Sequence, residues 1–146
     1  MRRQLLDTSA TGLRTLVAVF DTGDKVMAGL KELAARERLN AAQFSAIGAL
    51  AEAELAYFDW EKKEYRPIPV KEQVEVAAML GDMAVDDEGR PALHAHLVLG
   101  RRDGSAVAGH LVEATVRPTL EVVITETPRH LHRRKDKATG LSLIRL

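Results

Sequence analysis

The 146-residue chain contains no cysteine. That absence excludes disulfides, thiolate metal sites and a cysteine nucleophile, leaving imidazole and carboxylate groups as the available metal ligands. Excess charge is missing as well: 21 Lys and Arg balance 21 Asp and Glu, for a formal net charge of +0. No overall field draws the molecule onto a phosphate backbone or an anionic membrane, so any nucleic-acid contact has to be local. No apolar run approaches the roughly 20 residues of a bilayer span. The basic start Met1-Arg2-Arg3-Gln4-Leu5-Leu6-Asp7 lacks the apolar stretch of a secretory signal. The expected setting is the cytoplasm, with no membrane partner. Two catalytic signatures are also wanting. No serine sits in a Gly-x-Ser-x-Gly elbow, and Gly100-Arg101-Arg102-Asp103-Gly104 lacks the glycine spacing and following helix of a phosphate-cradling loop.

What is present is ordinary globular material, with 46% hydrophobic and 29% charged residues, enough to build one core in one domain over residues 1–146. Residues 13–20 are β-branched and apolar and predict a strand. Asp24 is placed to cap a helix whose Val26, Leu30, Leu33 and Ala34 share one stripe, ending near Leu39 and Asn40. The Ala-rich stretch 42–59 reads as strand, because Gly48 would cost about 1 kcal/mol in a helix and Glu52 and Glu54 alternate with Ala51, Ala53 and Leu55. Two strands, bent or bulged between Gly48 and Ala51, are expected. A polar connection at 60–65 leads to a short edge segment at 66–70, which Pro67 and Pro69 keep out of the sheet interior. Residues 73–85 predict a strand interrupted at Gly81, and 86–91 a loop. Residues 115–119 break the chain before a strong strand at 120–125; a basic segment at 128–140 and a closing strand at 141–146 follow.

The chemistry concentrates in Leu93-His94-Ala95-His96-Leu97 and Ala108-Gly109-His110-Leu111, which place three of the five histidines on one predicted hairpin. Side chains two apart on a strand share a face, so His94 and His96 point one way while Leu93, Ala95, Leu97 and Leu99 point the other. Whether His110 joins them depends on the turn. A two-residue Asp103-Gly104 loop turns His110 to the opposite face, whereas a three-residue Arg102-Asp103-Gly104 loop, with Gly104 left-handed, sets His96 directly across from His110. The second register is preferred. It brings three imidazoles within reach of one ion and leaves a coordination position open, a pattern suited to zinc or another divalent transition metal. The plainer alternative is polar strand histidines bonded to carbonyls or water, or facing a subunit contact. By residue type, Glu75, Glu113 and Glu121 are candidates to support the ligands. Glu113 lies an odd number of residues from His110 and should face away, which leaves Glu75 and Glu121.

In order and spacing, the chain resembles the plants-and-prokaryotes-conserved (PPC) domain, found alone in bacteria and archaea and beside AT-hooks in plant nuclear proteins. The resemblance rests on Gly23-Asp24, Ala46-Ile47-Gly48-Ala49-Leu50, Tyr57-Phe58, Val74-Glu75-Val76, Leu80-Gly81, the two histidine segments, Thr119-Leu120-Glu121-Val122-Val123-Ile124 and Gly140-Leu141. Ala108 departs from it, where the family often has a second glycine. The resemblance implies an α+β fold, a mostly antiparallel sheet covered by one main helix, assembled as a homotrimer. It also implies that His94, His96 and His110 lie together with zinc. An unknown small molecule is a further partner to expect if the centre acts on one. The alternatives are a trimeric protein-interaction module or DNA binding. The latter would use Arg129, Arg133, Arg134, Lys135 and Lys137 as phosphate contacts, since Gly89-Arg90-Pro91 lacks the preceding arginine of an AT-hook. His130 and His132, set among these cations, are poor ligands for a dication.

Overall fold

The computed structural model describes residues 1–145. Its elements in chain order are β1 (Arg2–Thr8), β2 (Arg14–Asp21), α1 (Val26–Glu37), β3 (Ala42–Asp59), β4 (Glu64–Val70), β5 (Val74–Val85), β6 (Pro91–Gly100), β7 (Ala106–Glu126), β8 (His132–Lys135) and β9 (Ser142–Arg145). Alternation of apolar and polar residues drives the strands into one curled sheet with one main helix against it. Neighbouring strands pair antiparallel, except for a parallel contact between Val85 of β5 and His132 of β8. β3 and β6 each pair with both β5 and β7, so these four strands close a circuit. Inside it and under α1 lie Leu16, Phe20, Leu30, Leu33, Leu50, Leu55, Met79, Leu99, Leu111 and Leu120, all fully buried. Burying each such side chain contributes about 1.5–3 kcal/mol. Among the described residues, no helix is long and apolar enough to cross a membrane.

Several local expectations are redrawn by tertiary contacts. β1 was not expected, because every one of its residues is exposed and no alternation marks it; it forms by pairing along β2. The bend expected near Gly48 exists as register shifts within a single strand, β3, not as a gap between two. The break expected at 115–119 is likewise absorbed into a continuous β7. Pro118 does not end the strand because it falls in the irregular stretch between the Val116 and Leu120 pairings, where no ladder hydrogen bond is demanded of it. Val116 instead bonds the loop before α1, accepting from Gly23 N at 2.9 Å and donating to Asp24 O at 3.0 Å. Gly81 does not interrupt β5; it makes room for Phe44, whose Cζ would lie 2.3 Å from an added Cβ. Residues 128–140 are not a free tail. They contain β8, which pairs with β9, and Leu146 of the expected closing strand lies outside the described residues.

The helix also ends differently from the sequence reading. Its N-cap is Lys25, with no side-chain cap bond, and Asp24 instead pairs with the N-terminal ammonium at 2.8 Å and accepts from Asp21 N at 2.9 Å. The cap comes from across the sheet. Glu113 on β7 accepts from Met27 N at 2.8 Å and Ala28 N at 3.1 Å, satisfying two of the orphan donors of the first turn with a favourably placed negative charge. At the other end Arg14 of β2 ties α1 to β7, donating to Glu126 Oε1 at 2.6 Å and to Glu37 O at 2.8 Å.

Gly48 is where the backbones of β3 and β7 come closest. Its φ is 148°, and an added Cβ would sit 2.3 Å from Thr119 O, a backbone atom that cannot swing aside. Gly48→Ala is expected to cost roughly 2–4 kcal/mol in chemical denaturation; a loss no larger than that of a surface substitution would show that the two strands can separate freely there.

Candidate metal centre

The hairpin of β6 and β7 is fixed by its turn and by its buried face. Gly104, at φ 83°, lets Arg101 accept from Gly104 N at 2.9 Å and donate to Ser105 O at 2.8 Å. Asp103 Oδ1 secures the turn by accepting from Ser105 N at 2.9 Å and Ser105 Oγ at 2.6 Å. The three-residue loop is therefore the one formed, and His96 lies directly opposite His110. Ala95, Leu97 and Leu99 are buried on one face of β6, while His94 and His96 project from the other.

On that outer face one ring nitrogen from each of His94, His96 and His110 lies within 4.8 Å of the other two. His94 Nε2 and His96 Nε2 are 3.2 Å apart. Two nitrogens each about 2.0–2.1 Å from a tetrahedral ion are separated by roughly 3.3 Å, so this pair already has the spacing of shared coordination. His110 Nδ1 is buried and has no hydrogen-bond partner, an orphan of the kind that signals an unplaced ion or water. Burial, reinforced by the nearby His94, His96 and Arg133, pushes His110 down to about 4. His94 is lowered by burial first, then by Arg133 and His96, with Asp82 opposing. Both rings are thus neutral near pH 7, the protonation state a metal ligand requires. The residues present fit a cation.

The surroundings were less legible in sequence. Tyr65 of β4 stacks on His110, with centroids 4.8 Å apart and planes at 26°, and packs its edge against Phe58. Asp82 of β5, opposite His94, receives both its oxygens' bonds from Arg133 Nη2, at 2.8 and 2.7 Å. Arg133 also donates to Ser142 O at 2.8 Å, which fastens the β8–β9 hairpin beside the histidines. A cavity of about 350 Å³ opens between that hairpin and α1, lined in part by Lys31, Tyr65, His94, His110, Arg133 and Leu143. No pattern in sequence pointed to Tyr65, Asp82 or Lys31, since each depends on strand pairing or helix placement remote in the chain.

The other site residues fall elsewhere. Glu75 lies opposite Gly100, at the far end of β6 from His94, and Glu121 lies opposite Ile47 on β3, so neither is brought to the histidines. Glu113 faces away from them, as expected, and caps α1. Of the five basic residues offered as phosphate contacts, Arg129, Lys135 and Lys137 are exposed. Arg134 bonds Asp87 at 2.8 Å, and Arg133 is only 6% exposed and committed to Asp82, so it does not present itself to a phosphate backbone.

The pattern of the Plants and Prokaryotes Conserved (PCC) domain matches residues 7–128. The chain belongs to this family. Its structure is similar to a plant- and prokaryote-conserved (PPC) protein of Pyrococcus horikoshii, at 32% identity and TM-score 0.85 over 92% of this chain and 93% of that one. It is similar to a metal-containing protein of Archaeoglobus fulgidus at 31% identity and TM-score 0.82, covering 90% and 93%. A candidate DNA-binding protein of Ralstonia eutropha JMP134 is 30% identical, with TM-score 0.84 over 96% and 94%. No curated protein matches the chain at a significant level.

Arg133 is a structural tie by this geometry. Arg133→Met leaves Asp82 without its partner and is expected to lower stability by roughly 3 kcal/mol in denaturant titration; unchanged stability together with weakened binding to duplex DNA would return Arg133 to the surface role.

Proposed function

We propose that this PPC-domain protein binds one divalent metal ion per chain, zinc best fitting the donors, through His94, His96 and His110, and that it does so as a cytoplasmic homotrimer. The convergence of three imidazoles on one outward-facing patch, two of them held neutral by burial, is the observation that carries the reading. An all-nitrogen set without thiolate suits zinc, and three protein ligands leave a position open, as in catalytic rather than structural sites. The Archaeoglobus fulgidus relative, described as metal-containing, supports the same reading. When bound, zinc supplies a Lewis acid and lowers the pKa of a coordinated water. The chain's own part is to hold the three imidazoles pointed together and to keep His94 and His110 neutral, with Tyr65 bracing His110 from one side.

Self-association is supported by the sheet's outer face, and the number three by the family resemblance. Leu80, directly across from His96, is 65% exposed, and Ile47 (62%) and Val123 (43%) extend the same apolar patch across β3 and β7. A contiguous exposed apolar patch on a small domain marks an interaction surface. A second copy of the chain, meeting this face with a different part of its surface as a three-fold ring requires, is the occupant the family resemblance suggests. The basic segment gives weaker support to nucleic-acid binding, because two of its five candidate contacts are held by Asp82 and Asp87.

Elemental analysis of protein loaded with zinc and desalted is expected to return about one zinc per chain for the native sequence, and under about a tenth of that for His94→Ala, His96→Ala or His110→Ala with the fold retained by circular dichroism. Native protein without stoichiometric metal, or full occupancy in the variants, overturns the metal reading. Light scattering is expected to give a mass about three times the 16.0 kDa chain and, for Leu80→Asp, that of a single chain. A single-chain mass for the native protein removes the trimer.

A further inference from the structure

The cavity beside the histidines holds more positive charge than the metal reading uses. Lys31 projects from the exposed side of α1 into its lining, and no carboxylate among the described residues is within ion-pair distance of it; the acidic Glu37 on the same helix is taken by Arg3, Arg14 and Arg36. Arg133 lines the same cavity, is only 6% exposed, and is committed through Nη2 to Asp82 and through Nη1 to Ser142 O. Asp82 cancels one guanidinium charge, which leaves the Lys31 ammonium and the metal's charge unanswered. Leu93, Leu141 and Leu143 supply apolar wall beside the Tyr65 ring.

Resting on the metal reading above, we propose that this cavity takes a small carboxylate, which occupies the open metal position and is held by Lys31, with its short apolar body against the Tyr65 ring and Leu143. A carboxylate suits the site better than phosphate. Its carbon body can lie against Leu93, Leu141 and Leu143, where the fourth oxygen of a phosphate would be desolvated without a partner. At about 350 Å³ the cavity sits at the small end of ligand pockets, room for a ligand of a few carbons.

The test uses the full chain loaded with cobalt(II), whose visible absorption reports its ligands, with propionate and inorganic phosphate as probes. Propionate is expected to change the cobalt spectrum saturably, and Lys31→Met to weaken that binding about tenfold or more without lowering cobalt content, while Lys31→Arg restores it. Lys31 is exposed on the helix, so neither variant threatens the fold. A spectrum indifferent to propionate in cobalt-loaded native protein, equal affinity in Lys31→Met, or phosphate binding as tightly as propionate overturns the proposal and leaves the metal reading standing. Failure to take up cobalt at all overturns both, and is told apart by the metal content alone.

Discussion

The register of one hairpin governs the centre. Side chains on a strand alternate, so a slip of one residue between β6 and β7 would turn His110 away from His96 and at the same time move either Leu97 and Leu99 of β6 or Leu111 of β7 out of the core. At about 1.5–3 kcal/mol per side chain, that exposure costs far more than a turn can recover. The arrangement of the histidines is therefore inherited from hydrophobic packing on the reverse face of the same strands. The Gly104 turn selects the register, and the buried leucines hold it.

Electrostatics then sets what the site is fit for. Partial burial keeps His94 and His110 uncharged, and the Arg133–Asp82 pair places a guanidinium close by without adding net charge of its own. The same pair anchors β8 and β9, so a segment that reads as a basic tail becomes one wall of a cavity. A carboxylate at Glu113, an unremarkable strand residue by composition, does comparable work at α1, where the first turn has no cap from its own neighbourhood.

How much of this was legible in the sequence follows from the range of the interactions involved. The histidine hairpin was legible because its determinants are local: a period of two, a glycine in the turn and leucines between the imidazoles. The helix stripe was legible for the same reason. β1 was not, since a strand exposed on both faces carries no alternation and exists only because β2 offers an edge. Gly81 and Pro118 looked like breaks because their compensating partners, Phe44 and the bulged pairing with β3, are distant in sequence. Glu75 and Glu121 have the right chemistry, and only strand pairing shows that they stand opposite Gly100 and Ile47, away from the histidines. Arg133 reads as one more surface cation in a basic segment because nothing near it in sequence shows Asp82.

The long strand β7 has a consequence for biosynthesis. β2, β3 and β6 all pair with it, and Thr15 near the start of the chain finds its partner only at Thr125. The emerging polypeptide therefore cannot close its core until nearly all of it has left the ribosome, and the loop-closure entropy of such distant pairings slows the final step. Until then the apolar face of β3 waits unpartnered, which makes the nascent chain a natural client for chaperones that shield exposed strands.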